Sequence, residues 1–533
     1  MKTILKKYIL PAALLLSVTG CQKNFDELTK NTNLPSSVPA SLLFNGVLNS
    51  IAELPDGQKE IYAQYYLYNY DYYGNNRYDF GSGDDYYTTL KNVVAMEEQA
   101  AATGGGAINP YEALGKFFKA YLFSKMSLEM GDIPMSEALK GLSNLEPKYD
   151  SQKAVMLQSL EWLESANSDL GQLIAKPNDF GTGEGAILKN DMYFGNNLVE
   201  WQKTVNALQL RLLVQLSKKT ADADLKVAAR FAAIVGNPTK YPLMTSNADN
   251  LQYTFVAPAN FYPMNPNNFG QSGSRKNMSS TYVGLLTQLK DPRVYVTAEP
   301  SRDLVDNKKQ SPTDFASFLG ADPGEDQGDM YNEAGLQKYS FINRKHFYST
   351  YTGEPSIQIG YPELMFNIAE GINHGWAPGA NAETYYQAGI KASMASYGIP
   401  ETGNFTAYFY RPGSTSVTVE GNYDTYTIPA NFTTYYNQAG VKYTDDANGL
   451  TRILQQKYLA LFRHSGLESY FTYRRTGVPN FTTGPGTGNS SRIAKRFKYH
   501  SADRTANAKN YQDALSSQYG GNDDINGVMW ILK

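Results

Sequence analysis

Cysteine is all but missing from this chain: Cys21 is the only one among 533 residues. An internal disulfide is therefore excluded. Histidine is almost as scarce, and His346, His374, His464 and His500 fall at no metal-ligand spacing, so each reads as a solvated or structural residue. Catalytic signatures are missing too. There is no G-x-S-x-G elbow, no H-E-x-x-H pair and no phosphate loop ending in Gly-Lys-Ser/Thr. The stretches Gly181 to Gly185 and Gly484 to Gly488 are glycine-rich but join no strand to a helix, and read as loops. With 51 acids, two carboxylates at glycosidase separation are always available, but sequence spacing cannot show them. No apolar run approaches the ~20 residues needed to span a bilayer. An excess of positive charge is lacking as well. Without its first 20 residues the chain keeps 45 of its 48 Lys and Arg against 51 Asp and Glu, a formal charge of −6. That balance argues against nucleic acid or an anionic lipid surface as partner.

What is present at the N-terminus sets the address of the rest. Lys2, Lys6 and Lys7 precede the apolar run Tyr8 to Leu16, and Val18-Thr19-Gly20 lead into Cys21. A basic start, a short apolar middle and small residues before a cleavage point make a secretory signal peptide. The position of Cys21 resembles the lipobox of bacterial lipoproteins, in which the cysteine becomes the first mature residue and carries acyl chains. The plainer alternative is an ordinary signal peptide with an incidental cysteine. Buried acyl chains hold a protein on a membrane at ~0.8 kcal/mol per CH2. The expected layout is a lipoprotein signal peptide at 1–20, a lipid-anchored, Pro-broken tether at 21–40 and a single helical domain at 41–533.

The other compositional signal is aromatic. The chain holds 41 Tyr and 24 Phe but only 4 Trp. Tyrosine joins an apolar face to a polar tip, which suits wet surfaces that must grip a ligand. Carbohydrate binders use such faces because the C–H-rich side of a sugar stacks on a ring while its hydroxyls seek hydrogen bonds.

The periodicity is mainly helical. Asn109 can cap a helix that opens with Pro110, carries Leu114, Phe117, Phe118, Tyr121 and Leu122 on one face, and ends at Gly131. A second helix follows Asp150, with Met156, Leu160, Leu163, Leu170 and Ile174 inward. From Asn197 the series Leu198, Trp201, Val205, Leu208, Leu212 is the most regular in the chain, which places Trp201 in the core. Further helices are predicted over 41–52, 60–70, 84–101, 281–289 and 450–462. Residues 241–280 and 300–335 read as irregular, and a small hairpin is expected within 400–445. Pro362 and Asn381 open a helix pair in about 37 residues, near the ~34 of a tetratricopeptide unit, and Trp376 sits at its turn as a packing residue. The fold class read from these patterns is mostly α, with tetratricopeptide-like helix pairs, long irregular loops and minor β-hairpins.

Several ordered motifs resemble those of the SusD/RagB outer-membrane lipoproteins of the Bacteroidetes, in the starch-binding-associated branch. They are Gly131-Asp132-Ile133-Pro134-Met135-Ser136-Glu137-Ala138-Leu139, Pro147-Lys148-Tyr149-Asp150, Tyr193-Phe194-Gly195-Asn196 with Trp201, Leu210-Arg211-Leu212, and Leu289-Lys290-Asp291-Pro292-Arg293. The series continues through Ala369-Glu370, Ala388 to Ser393, Gly466-Leu467-Glu468, Arg474-Arg475-Thr476-Gly477 and Arg496-Phe497 to Asp503-Arg504. The resemblance implies a helical scaffold that docks on a SusC-like TonB-dependent transporter. It further implies a lid that captures oligosaccharide and catalyses no reaction, facing the cell exterior from the outer membrane. Asp26 and Glu27 match the acidic surface-export signal only in displaced form. A peptide-binding lid, as in the RagB branch, is the alternative, and a surface glycoside hydrolase stands third.

The matched motifs define the scaffold and mark no ligand site, so the candidate contacts are taken from the aromatic, Asn-bearing loops. The first set is Tyr70, Tyr72, Tyr73, Asn75, Arg77 and Tyr78; the second is Asn265, Asn268, Phe269 and Arg275. Rings would stack on sugar faces, and the Asn and Arg side chains would bond hydroxyls. The competing reading is that these tyrosines only pack their loops onto the helices. No cofactor is expected. Asp322, Glu325, Asp326 and Asp329 are the one acidic set that could hold a calcium ion, although they lack an EF-hand pattern and better suit a solvated acidic loop.

Overall fold

The computed structural model describes residues 38–533. The signal peptide, Cys21 and nearly all of the tether lie outside the described residues. Helices dominate. In chain order the first six long ones are α1 (Ala40–Ser50), α2 (Tyr87–Ala102), α3 (Pro110–Met130), α4 (Gln152–Ala175), α5 (Leu198–Gln215) and α6 (Val227–Gly236). Each packs on the next in the series. The start signals act as the sequence implies. The Asn109 side chain accepts from the Glu112 amide with Pro110 behind it, Ser151 accepts from Ala154, and Asn197 from Val199. Gly131 closes α3 at φ 100°, a conformation that favours glycine.

The patterned faces become the first core. Trp201, Val205, Leu208 and Leu212 of α5 are buried, and the Trp201 ring meets those of Phe44, Phe117 and Phe118. Each fully buried large apolar side chain there stabilises the fold by about 1.5–3 kcal/mol. The Trp201 indole N–H donates to Asp191 at 2.9 Å, so its one polar atom is satisfied. Helix α3 is enclosed on more than its apolar face: Ser124, Ser127 and Glu129 are buried as well, because α2, α4 and α5 surround it.

The second half mixes shorter helices with strands: α7 (Ser280–Gln288), α8 (Gln327–Gly335), α9 (Tyr361–Asn373), α10 (Ala382–Ser396), α11 (Ala447–Ala460), α12 (Glu468–Thr476) and α13 (Ala508–Tyr519). Helix α9 packs on α10, α11 and α5, so it joins the two halves. Trp376, just past α9, meets Phe231 of α6 edge-on. The strands are β1 (Tyr66–Tyr68), β2 (Leu251–Tyr253), β3 (Lys276–Met278), β4 (Ser356–Ile359), β5 (Thr402–Tyr410) and β6 (Tyr423–Asn431). They form three antiparallel pairs, β1 with β3, β2 with β4 and β5 with β6. The last is the expected hairpin, in register from Thr402 opposite Asn431 to Tyr410 opposite Tyr423.

One expected helix is largely absent. Over 60–70 the chain makes only a short turn, Gln58–Tyr62, then Gln64 takes φ 52° and the chain extends into β1. Tyrosine is a strand former, and extension lets Tyr65 reach the Tyr458 carbonyl at 2.8 Å while Tyr66 pairs with Met278. The 300–335 segment is more ordered than expected, since it contains α8, whose N-terminus Asp326 caps.

A buried ionic hub fastens the second half. Arg293 and Asp291 are both wholly inaccessible. Arg293 donates through Nε and Nη2 to Asp291 at 2.9 and 2.6 Å, through Nη1 to Ser393 of α10 at 2.8 Å, and through Nη2 to Gln456 of α11 at 2.6 Å. The Tyr435 hydroxyl also donates to Asp291.

Candidate ligand-binding site

The aromatic loop after β1 is held at both ends. Asn69 donates from its backbone to the Arg275 carbonyl at 3.1 Å and from its side chain to Asn277 at 2.6 Å. Asn76 folds back on Tyr68, accepting from its amide and donating to its carbonyl. From the other side Gln327, at the start of α8, donates to the carbonyls of Tyr68 and Gly74. These bonds leave the intervening rings at the surface. Tyr72 is 81% exposed, and Tyr70, Tyr73 and Tyr331 of α8 are between 37% and 45% exposed. The Tyr70 ring lies 5.3 Å from that of Tyr331 and 6.1 Å from that of Tyr73, and Tyr72 meets Tyr73 edge-on at 5.3 Å. The Arg275 guanidinium sits 5.2 Å from the Tyr70 ring centre and 5.7 Å from that of Tyr73.

Beside this cluster opens a cavity of about 610 Å³, within the range of sites that hold small ligands. Tyr331, Asn332 and Gln337 line it from α8 and its C-terminal end, Tyr410 with Arg411 from the end of β5, and Arg275 and Arg344 complete the lining. Arg344 is fixed by Glu299, which takes its guanidinium and, at 2.9 Å, its backbone amide. Burial pushes the Glu299 carboxyl above the ordinary range and Arg344 pulls it back. Burial likewise raises the Tyr410 phenol, against the pull of Arg344, so Tyr410 faces a ligand as a neutral donor and acceptor at physiological pH.

The structure therefore brings Tyr70, Tyr72, Tyr73 and Arg275 together from the two predicted loops. Phe269 stands behind the wall, edge-on to Tyr410 at 5.4 Å and under Arg344. The remaining candidates lie outside this cluster. Tyr78 is 1% exposed and donates to the Tyr62 carbonyl, so neither ring face is open to a sugar. Asn75 accepts from the Arg77 amide, and Arg77 pairs with Asp79 at 2.5 Å on a surface shared with Gly488, away from the cavity lining. Asn265 is buried, donating to the Tyr262 carbonyl at 2.7 Å and accepting from Asn267; Asn268 accepts from the Asn265 amide and donates to Pro263. These asparagines build the turn and are spent on it.

Sequence reasoning missed Tyr331, Tyr410, Arg302, Arg344 and Arg411. Arg411-Pro412-Gly413, a turn directly after the aromatic strand end, was the one local signal available. Of the acidic set, Asp322 accepts from Gly324 and Thr482, Glu325 from Tyr339, and Asp326 from Gly328. Among the described residues no group of three or more His, Cys, Asp or Glu side chains converges on a metal-sized site.

Comparison with known proteins bears on most of the chain. Curated proteins give no match. The SusD-like family model, described as starch-binding and associating with the outer membrane, matches residues 32–500. A SusD homolog of Bacteroides fragilis superposes with a TM-score of 0.77 at 30% identity, covering 93% of this chain and 100% of that one. A second from the same species gives 0.74 at 28%, with the same coverage. A chitin-binding SusD homolog from Flavobacterium johnsoniae gives 0.66 at 20%, covering 93% of this chain and 98% of its own, and shares the fold. By its helix pairs, its ordered motifs and these matches, the chain belongs to the SusD-like family of starch-binding, outer-membrane-associated proteins.

Proposed function

We propose that this protein is a non-catalytic, cell-surface lipoprotein, anchored through Cys21, that captures oligosaccharide in the cavity lined by Arg275, Tyr331 and Tyr410. It passes the sugar, as a lid, to a SusC-like TonB-dependent transporter. The observation that carries the reading is a cluster of four exposed tyrosine rings, of which Tyr331 lines a cavity of about 610 Å³ that also presents Asn, Gln and Arg side chains. Ring faces take the C–H-rich side of a pyranose, and the amide and guanidinium groups take its hydroxyls. No catalytic motif accompanies them in the sequence. An open site of this kind binds single sugars weakly. Delivery then relies on the high effective concentration that tethering to the transporter mouth provides.

The test is calorimetric titration of the full chain in detergent with a panel of oligosaccharides and peptides. Heat from sugars alone, with no product released, is the expected outcome. Tyr72→Ala and Tyr331→Ala should each weaken that binding by about 1–3 kcal/mol if the rings are binding hot spots. Unchanged affinity in both variants would remove the cavity from consideration, and heat from peptides alone would replace the glycan by a peptide ligand.

A further inference from the structure

The cavity wall is unbalanced in charge. Arg275, Arg302, Arg344 and Arg411 line it, and among the described residues no Asp or Glu does. Three of the four carry a carboxylate from outside the lining: Asp306 holds Arg302 at 2.9 Å, Glu299 holds Arg344, and Asp424 holds Arg411 at 2.6 Å. Arg275 has no ion-pair partner among the described residues. The neighbours that fix it are the Tyr70 and Tyr73 rings, which orient a guanidinium without neutralising it. Asp71, on the same loop, is exposed and lies outside the lining. A guanidinium stays protonated at any physiological pH and presents a planar fork that matches an oxyanion in two-point fashion. The chain as a whole carries an acidic excess, so any attraction for anions here is local to this wall.

We infer that the ligand of this cavity is an acidic oligosaccharide, bearing a uronic carboxylate or a sulfate ester, and that Arg275 is the residue that reads its charge. The inference rests on the reading of the cavity as a glycan site. Tyr70, Tyr72 and Tyr331 would hold a sugar face while the anionic substituent reaches past them to Arg275. The arginines already paired with carboxylates would contribute hydrogen bonds to hydroxyls with little net charge.

The experiment compares matched sugars on the full chain: neutral galactan oligosaccharides, oligogalacturonates and sulfated galactan oligosaccharides. Binding is measured by calorimetry at low and near-physiological salt. The expected result is that at least one acidic member binds about tenfold more tightly than its neutral counterpart, the worth of a charge-assisted two-point contact. Arg275→Gln should collapse that ratio towards one, whereas Tyr331→Ala should weaken both members together. A larger gain for galacturonate identifies the carboxylate as the anion, and a larger gain for the sulfated sugar identifies the ester. Equal affinity for neutral and acidic sugars, or an acid preference that survives in Arg275→Gln, overturns the inference and leaves the glycan site standing. Binding of acidic peptides with no sugar bound, or of nothing in the panel, removes the glycan site itself. Should Arg275→Gln fail to fold, the acid-to-neutral ratio of the unmodified chain decides the matter alone.

Discussion

Replacing Arg293 by Met tests how the irregular half of the molecule is held. The substitution keeps much of the volume but leaves the Asp291 carboxylate inside the protein with Tyr435 and its local backbone amide as remaining donors. Both members of the pair are completely inaccessible, so water cannot replace the lost guanidinium. Breaking a buried ion pair from one side costs about 3–5 kcal/mol, because the charge left behind keeps its desolvation penalty and loses its compensation. Removing both charges in Asp291→Asn/Arg293→Met should recover a large part of that loss, so the two substitutions should couple by about 2 kcal/mol or more. Urea and thermal midpoints of the four proteins, followed by far-ultraviolet circular dichroism, give the cycle. If Arg293→Met unfolds within about 1 kcal/mol of the parent, the hub is not a fastening and the account of the second half is wrong. A double variant as unstable as the single would refute the charge argument specifically, leaving loss of packing and of the Ser393 and Gln456 bonds as the cause.

Two other outcomes follow from buried contacts. Burial pushes the Glu370 carboxyl up, but Arg475 at 2.5 Å and then His374 hold it down to about 2. A depressed carboxylate stabilises the fold above its unfolded value and loses that contribution as pH falls towards its folded value. Glu370 should therefore supply about 3 kcal/mol at neutral pH and about 2 kcal/mol near pH 3.5. The gap in urea midpoint between the parent and Glu370→Gln should narrow over that interval, and a constant gap contradicts the assignment. Gly371, inside α9, would place a Cβ 2.2 Å from the Phe231 ring. Gly371→Ala should thus destabilise by about 1–3 kcal/mol despite the better helix propensity of Ala, and a raised thermal midpoint would show that Phe231 can yield.

Much of the scaffold is legible residue by residue, because its causes are local. Asn109, Pro110 and Gly131 bound α3 through groups within a turn of the chain, and the stripe from Trp201 to Leu212 needs only a partner to be buried. The failures lie where local signals are ambiguous. Residues 60–70 are apolar enough for a helix, yet their tyrosines extend into β1 because β3, some 200 residues away, offers its open edge. Tyr72 and Tyr78 are equivalent as residue types. One is left in solvent by a loop pinned at Asn69 and Asn76; the other is drawn inside where its amide donates to Thr487 at 2.8 Å.

The sequence by itself determined the helical class, the two ends of α3, the starts of α4 and α5, the burial of Trp201 and the family motifs. Each of these depends on spacing and capping within a few residues. Tertiary structure alone decided the cavity. Its wall is assembled from Arg275, Arg302, Tyr331, Arg344, Tyr410 and Arg411, which strand pairing and the clamp of α8 on the tyrosine loop bring to one place. No local propensity encodes that convergence, because the energy that fixes it resides in hydrogen bonds, ion pairs and ring contacts between segments tens to hundreds of residues apart.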